Sequence, residues 1–145
     1  MAGYTNILIA VDFSKATDAI CEKAADLARR HQASLALVHV VEPIIVDPVY
    51  DVVPAVPAEL ELEQTKQARK ELHRLGDRYG IPPERCWVAS GITKTEILRS
   101  AEQNGVDLIV VGSHGRHGVD LLLGSTANAV LHGAKCDVLA VRVTT

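Results

Sequence analysis

Short apolar runs of strand length recur along the chain, and they are rich in Val and Ile. Because they stay apolar at both alternating positions, they are typical of strands buried between two helical layers. We predict four strands and a weaker fifth, at Asn6 to Val11, Ser34 to Val41, Asp107 to Gly112 and Asp137 to Val143, with the weaker one at Arg85 to Ser90.

The segments between these runs have the period of amphipathic helices. A first helix is predicted after Ser14, whose side chain is of a type that favours the N-cap position. A longer helix is predicted from Ala58 to Tyr79, where Leu62 opens a stripe of apolar residues that ends before Gly80. Both helices would pack one face on the sheet.

Two shorter helices complete an alternation of strands and helices. Thr93 and Glu96 have the spacing of a capping box and predict a helix to about Gln103, and another is predicted to begin near Gly124. Right-handed crossovers between successive strands then give an open, doubly wound parallel α/β sheet.

The size and charge of the chain fit one such domain over residues 1–145. Hydrophobic residues make up 48% and aromatic residues 3%, so aliphatic side chains must fill the core. A net charge of -3 without a basic run argues against nucleic acid as a partner. No apolar stretch reaches the roughly 20 residues that cross a membrane, and no secretory signal is recognisable, so we expect a cytoplasmic protein without a membrane partner.

Few side chains in the sequence indicate catalysis or metal binding. Cys21, Cys86 and Cys136 are far apart, which favours small buried hydrophobic residues in a reducing compartment. His39, within a strand, is interpreted as a hydrogen-bonded core histidine. The nearby residues His114, His117 and Asp120 lie on a glycine-rich loop, where a solvated or phosphate-facing role is favoured over a metal site. No metal site is predicted, and an enzyme has little support from the sequence.

The carboxyl ends of the predicted strands carry the best candidate ligand site. Ligands of open α/β sheets bind at this edge, where the strand order reverses, and we expect the first and fourth strands to be adjacent there. Asp12 follows the first strand, and Gly112 ends the fourth. The run Gly124-Ser125-Thr126 opens a helix and offers backbone N–H groups and hydroxyls to a phosphate.

These motifs resemble the universal stress protein family along essentially the whole chain. The matching segments are Ile7 to Ser14, Leu37 to Val40, Asp107 to Gly115, Gly124 to Thr126 and Cys136 to Val141. The resemblance implies a Rossmann-like, adenine nucleotide alpha hydrolase-like sheet of strand order 3-2-1-4-5.

In the nucleotide-binding branch of that family the resemblance implies ATP, or another adenine nucleotide, in the crevice. No metal is predicted beyond magnesium that a bound nucleotide would bring. The matching residues are Asp12 and the backbone of Val40 for adenine, Val111 and Gly112 for the ribose and α-phosphate, and Gly115, Gly124, Ser125 and Thr126 for the remaining phosphates.

The glycine loop departs from the ATP-binding branch. Eight residues separate Gly115 from Gly124, one fewer than in that branch. In this loop length the chain resembles the branch typified by universal stress protein A, which is not credited with ATP binding. The chain nevertheless keeps the Gly-Ser pair. A nucleotide-binding regulator and a homodimeric interaction protein therefore both stay open, with slow ATP hydrolysis or autophosphorylation as a third hypothesis.

Two further segments, an edge strand and a proline-rich stretch, can contact a partner or cover a site. The strand Asp137 to Val143 is expected at an unprotected sheet edge, and the family resemblance implies that it pairs across a twofold axis in a homodimer. The proline-rich stretch Glu42 to Pro57 is either a cover for something or a simple connection.

Overall fold

The computed structural model describes residues 3–43, 58–113 and 124–142, which form a parallel sheet with helices on both faces. The strands are β1 (Asn6–Ala10), β2 (Ser34–Val41), β3 (Cys86–Ser90), β4 (Leu108–Gly112) and β5 (Asp137–Val141). The helices are α1 (Thr17–His31), α2 (Ala58–Tyr79), α3 (Thr93–Gln103) and α4 (Ser125–Gly133), and Pro83–Arg85 form a 3-10 turn. None of these helices is long and apolar enough to cross a membrane.

The strands lie in the order β3-β2-β1-β4-β5, and every neighbouring pair is parallel. Ile9 of β1 pairs with Leu37 on one side and with Val110 on the other, so β1 and β4 are central neighbours. The strand order therefore reverses between β1 and β4. This confirms the doubly wound fold and its strand order.

The core consists of two apolar layers, one on each face of the sheet. Successive strand residues point to opposite faces, so a strand that is apolar throughout serves both layers. Ile7 and Ile9 lie in the layer under α1 and α2, whereas Leu8 lies in the layer under α3 and α4.

Several predicted strand ends move by one or two residues. The hydrogen-bonded strand β1 stops one residue before Val11, and Arg85 lies in the 3-10 turn that precedes β3. Asp107 directly precedes β4, and its carboxylate accepts the N–H groups of Thr5 and of Asn6 at the start of β1. Strand β5 ends at Val141, and Val143 lies outside the described residues.

Ser14 is not the N-cap of the first helix. Its carbonyl accepts the N–H of Thr17 at 3.1 Å, and its hydroxyl accepts the N–H of Ala16 at 3.3 Å. These bonds form a turn ahead of the helix, so Ala16 becomes the N-cap and α1 begins at Thr17.

The predicted capping box at Thr93 and Glu96 is also wrong. Ile92 is the N-cap of α3 and makes no side-chain cap, while the carboxylate of Glu42 accepts both the N–H and the hydroxyl of Thr93. Glu96 instead forms an ion pair with Arg99. A carboxylate from the end of β2 thus replaces the local cap.

The bounds of α2 are confirmed, but Leu62 in its first turns is 57% exposed. A helix of 22 residues is about 33 Å long, whereas the eight residues of β2 span about 26 Å, so the start of α2 extends past the sheet. Of the stretch Glu42 to Pro57, residues 44–57 lie outside the described ranges.

Candidate functional site

The carboxyl ends of β2, β1 and β4 meet at one edge of the sheet. Val40 is the last residue but one of β2, Asp12 follows the end of β1, and Gly112 is the last residue of β4. Adjacent strands lie about 4.8 Å apart, so the three positions share a patch about 10 Å wide. The predicted residues that the structure describes at these strand ends are therefore neighbours.

Asp12 also shapes the turn between β1 and α1. Its carboxylate accepts the N–H of Ser14 at 3.0 Å, and the intervening Phe13 has the left-handed φ of 58°. A bulky residue rarely adopts this φ, so the surrounding bonds must hold the turn in place. The carboxylate of Asp12 is half-buried at the edge of the sheet.

Val40 and Val111 can offer a ligand little besides their backbones. Their side chains are 8% and 3% exposed and lie in the apolar layer under α3 and α4. The predicted contact through the backbone of Val40 fits this burial. A substitution that keeps the volume of either side chain would leave such a contact unchanged.

A pair of backbone hydrogen bonds brings the start of α4 to the end of β4. The N–H of Gly124 donates to the carbonyl of Ser113 at 2.6 Å, and the N–H of Ser113 donates to the carbonyl of Val141 at 2.9 Å. Gly124 is the N-cap and has no side chain with which to cap the helix. The first N–H groups of α4 therefore have no acceptor within the helix, and the positive end of its dipole lies beside β4.

Two hydroxyls stand at this helix start. Ser125 is exposed and Thr126 is half-buried, so both can reach a ligand beside the helix. Backbone N–H groups, hydroxyls and the helix dipole together favour an anion such as phosphate. The predicted run from Gly124 to Thr126 thus stands next to the predicted strand-end residues.

Ser113 belongs to this edge and was missed by the sequence analysis. It is 6% exposed, and its hydroxyl has no hydrogen-bond partner among the described residues. A buried hydroxyl without a partner costs about 1–3 kcal/mol, so it marks a place where a further group is expected. Its position directly after Gly112 was the only signal in the sequence.

The comparison with known families agrees with this geometry. The universal stress protein family model matches residues 3–142. The chain belongs to the universal stress protein family. Universal stress protein A homolog 1 of Coxiella burnetii is 44% identical over 140 residues, which cover 95% of this chain and 96% of the relative.

Solved structures of the family share the fold. Universal stress protein UspA from Lactobacillus plantarum has a TM-score of 0.79 at 30% identity, with 99% of this chain and 100% of that chain covered. A universal stress protein in complex with cAMP has a TM-score of 0.69 at 21% identity, with 99% and 100% covered. The second comparison concerns the fold alone.

Some predicted residues of this universal stress protein cannot be placed. Gly115, as well as His114, His117 and Asp120, lies outside the described residues. Within residues 3–43, 58–113 and 124–142, no group of three or more His, Cys, Asp or Glu side chains is arranged to hold a metal ion.

His39 is hydrogen-bonded at the edge of the core, as predicted. Its ring Nδ1 lies 2.8 Å from the carbonyl of Val11, so Nδ1 carries the proton and donates it. The His39 and Phe13 rings are in contact, with centroids 4.3 Å apart and planes tilted by 34°. This pair therefore supports the β1 turn from the face opposite to Val40.

Burial disfavours the thiolate form of all three cysteines. Burial raises the pKa of the Cys21 thiol to about 12, and burial is also the main cause that raises the pKa of Cys86 and of Cys136. All three are free thiols, with Cys21 and Cys86 buried and Cys136 half-buried. The prediction of small buried hydrophobic residues is confirmed for the first two.

Proposed function

We propose that this universal stress protein is a cytoplasmic regulator that binds an adenine nucleotide at the carboxyl edge of its sheet. The observation that carries the proposal is the hydrogen bond from Gly124 to Ser113, which sets the start of α4 beside the end of β4, with a glycine at the N-cap position. A flat base at the strand ends and a phosphate at the helix start would then be joined across one crevice.

The residues divide between the two ends of the nucleotide. Asp12 and the backbone of Val40 would contact adenine, and Val111 with Gly112 would border the ribose and α-phosphate. Gly124, Ser125 and Thr126 would bind the remaining phosphates, together with Gly115 from the loop. The universal stress protein in complex with cAMP supports the proposal because the same fold there holds an adenine nucleotide.

The length of the glycine loop predicts which nucleotide binds best. The eight residues between Gly115 and Gly124 are one fewer than in the ATP-binding branch. One residue of extended chain spans about 3.5 Å, more than a hydrogen bond can absorb. Contacts to adenine and ribose should therefore survive better than contacts to the terminal phosphates, and AMP or ADP should compete with ATP.

Isothermal titration calorimetry with ATP, ADP and AMP tests this proposal. Ser125→Asp adds a carboxylate that suits the helix dipole but repels phosphate, so we expect ADP affinity to fall at least about tenfold without loss of helix. Ser34→Asp adds the same charge at the exposed start of β2, on the opposite edge of the sheet, and serves as the matched control. Gly124 has φ -59°, so Gly124→Val fills the crevice without backbone strain and should also abolish binding.

Two results would count against nucleotide binding at this edge. Absence of heat with all three nucleotides at about 10 mM would leave the interaction protein as the working hypothesis. Tight ATP binding that neither Ser125→Asp nor Gly124→Val changes would place the nucleotide elsewhere on the molecule.

The second candidate function is a homodimeric interaction protein that uses the edge of β5. Within the described residues, β5 has β4 as its single neighbour, and Val138, Leu139 and Ala140 are half-buried. An edge strand with apolar side chains and unpaired backbone groups favours pairing with another strand. A second copy of β5, antiparallel across a twofold axis, would satisfy these groups.

A further inference from the structure

A second crevice, of about 300 Å³, lies between α2 and the ends of β1 and β2. It opens on the face of α1 and α2, because Phe13 packs in that apolar layer and Ala68 lies on α2. The side chains of Val40 and Val111 point to the opposite face. The crevice thus opens on the opposite face of the sheet from these two side chains.

The floor of the crevice is a fixed aromatic pair. The ring centroids of Phe13 and His39 are 4.3 Å apart with the planes tilted by 34°, and both residues remain partly exposed. The hydrogen bond from His39 Nδ1 to the carbonyl of Val11 holds the imidazole in place. A rigid ring face of this kind attracts a positive charge placed above it.

The wall of the crevice carries negative charge. Glu63 and Glu71 both line it from α2, with Gln67 midway between them, so all three project from one side of the helix. Among the described residues that line the crevice there is no Lys or Arg. A polyanion would be repelled here, whereas an ammonium group would meet both carboxylate and aromatic surface.

The spacing of the two carboxylates sets the size of a matching ligand. Eight residues of α-helix rise about 12 Å, which is close to the distance between the terminal nitrogens of an extended eight-carbon diamine. The apolar surface of Val41 and Ala68 lies along the same crevice. A flexible methylene chain would contact that surface while its charged ends reached the glutamates.

We propose that this crevice binds a linear aliphatic polyamine. One ammonium group lies over the Phe13 and His39 rings beside one glutamate, and the other lies at the second glutamate. The chemical class of the ligand follows from the residues that line the crevice, which provide two separated carboxylates, an aromatic pair and an apolar surface between the carboxylates. This crevice adjoins the proposed nucleotide site at the Asp12-Phe13 turn and opens on the other face of the sheet.

Phe13 provides a selective probe because it is the single phenylalanine of the chain. Protein labelled with fluorophenylalanine gives one ring signal, which can be followed by fluorine NMR without nucleotide present. We expect octamethylenediamine and spermidine to shift this signal in a saturable way. The neutral analogue octamethylene glycol and the dianion suberate should leave it unchanged at the same concentration.

Paired variants separate a specific site from general attraction to an acidic helix. Glu63→Gln with Glu71→Gln should weaken diamine binding on the order of tenfold, as expected for two partly exposed charge contacts. Glu59→Gln with Glu61→Gln removes the same charge from exposed positions of α2 outside the crevice, and should change the affinity less than about twofold. All four substitutions are on the helix surface, so folding is retained.

Three outcomes would overturn the proposal. The first is an equal response of the Phe13 signal to the glycol, which would show a crevice that recognises alkyl chains. The second is an equal loss of affinity in both double variants, which would show unspecific charge attraction. The third is no saturable shift with either amine up to about 10 mM.

Discussion

At the scale of single residues, Asp107 fixes the entry of two central strands. Its carboxylate accepts the N–H of Thr5 at 2.8 Å, the hydroxyl of Thr5 at 2.9 Å and the N–H of Asn6 at 3.0 Å. Desolvation alone would raise the pKa of Asp107, but these hydrogen bonds outweigh it and hold the pKa below its ordinary value. The ionised form therefore stabilises the fold.

We predict that Asp107→Asn lowers the free energy of unfolding by about 1–2 kcal/mol at pH 7. Since the folded pKa is depressed, the wild-type advantage is fully present above the unfolded pKa of about 4 and is lost as the pH falls through the folded value. Denaturant unfolding at several pH values measures this. Asp26→Asn, which removes only exposed ion pairs on α1, should cost less than about 0.5 kcal/mol, and an equal cost in both variants would contradict the prediction.

Residue roles were predictable where a local pattern determines them. Asp12 follows β1, and Gly124 and Ser125 stand at the start of α4, so their positions at the edge could be predicted from elements that the sequence marks clearly. Their binding roles stay a prediction. Glu42 as the cap of Thr93 could not be predicted, because the two residues are 51 positions apart and meet only when β2 and β3 are neighbours.

At the scale of elements, Gly76 sets the distance between α2 and the chain around β3. A Cβ at this position would lie 2.7 Å from Cys86 Sγ and 2.9 Å from the carbonyl oxygen of Ile81. Both contacts are too short for real atoms, and the second partner is backbone. The helix can approach β3 this closely because residue 76 has no side chain.

We predict that Gly76→Ala destabilises the protein by about 2 kcal/mol, because the added methyl group overpacks the contact with Cys86 and Ile81. A change from Gly to Ala within a helix ordinarily stabilises a protein by up to about 1 kcal/mol, so the expected effect has the opposite sign. Gly133→Ala is the control, since its Cβ would meet only the flexible end of Leu98 and should change stability by less than about 1 kcal/mol. Thermal unfolding compares the two. A Gly76→Ala protein as stable as wild type would show that α2 can move away from β3.

Pairing of β5 with a second copy of the chain can be tested by a substitution that leaves the sheet intact. The carbonyl of Val141 accepts a bond from Ser113, so the backbone of Val141 faces β4 and the N–H of its neighbour Ala140 points outward. Ala140→Pro removes this outward donor alone. Replacing Val141 itself would be less informative, because its side chain is 8% exposed and belongs to the core.

In sedimentation velocity we expect wild type to be a dimer at micromolar concentration and Ala140→Pro to be a monomer. Ser90→Pro removes an outward N–H at the opposite edge, on β3, and should leave the dimer unchanged. Circular dichroism would verify that both variants fold. A monomeric wild type, or a dimer that survives Ala140→Pro, would rule out pairing through β5.

Elements were easier to predict than their ends. Strands apolar on both alternations, such as Ser34–Val41, can only be buried between two layers, and the bounds of β2 were predicted without error. Helix starts depend on a few polar bonds that compete with one another. Ser14 forms the hydrogen bonds of a turn and does not cap α1. The residue type alone does not show which of these two arrangements forms.

At the scale of the whole molecule, one sheet carries two different surfaces at its carboxyl edge. On the side of α4, a helix N-terminus and hydroxyls favour an anion. On the side of α2, two glutamates and an aromatic pair favour a cation. The turn of Asp12 and Phe13 joins them, so a ligand on either side would contact the same short segment of chain.

A single NMR titration tests most directly whether an adenine nucleotide binds at the carboxyl edge of the sheet. With ADP added to labelled protein, we predict saturable shifts of the backbone amides of Asp12, Gly112, Ser125 and Thr126, while the amides of Gly76 and Cys86 in the distant α2 and β3 packing stay unchanged. Shifts that are confined to α2, or no shifts at about 10 mM ADP, would contradict nucleotide binding at the carboxyl edge.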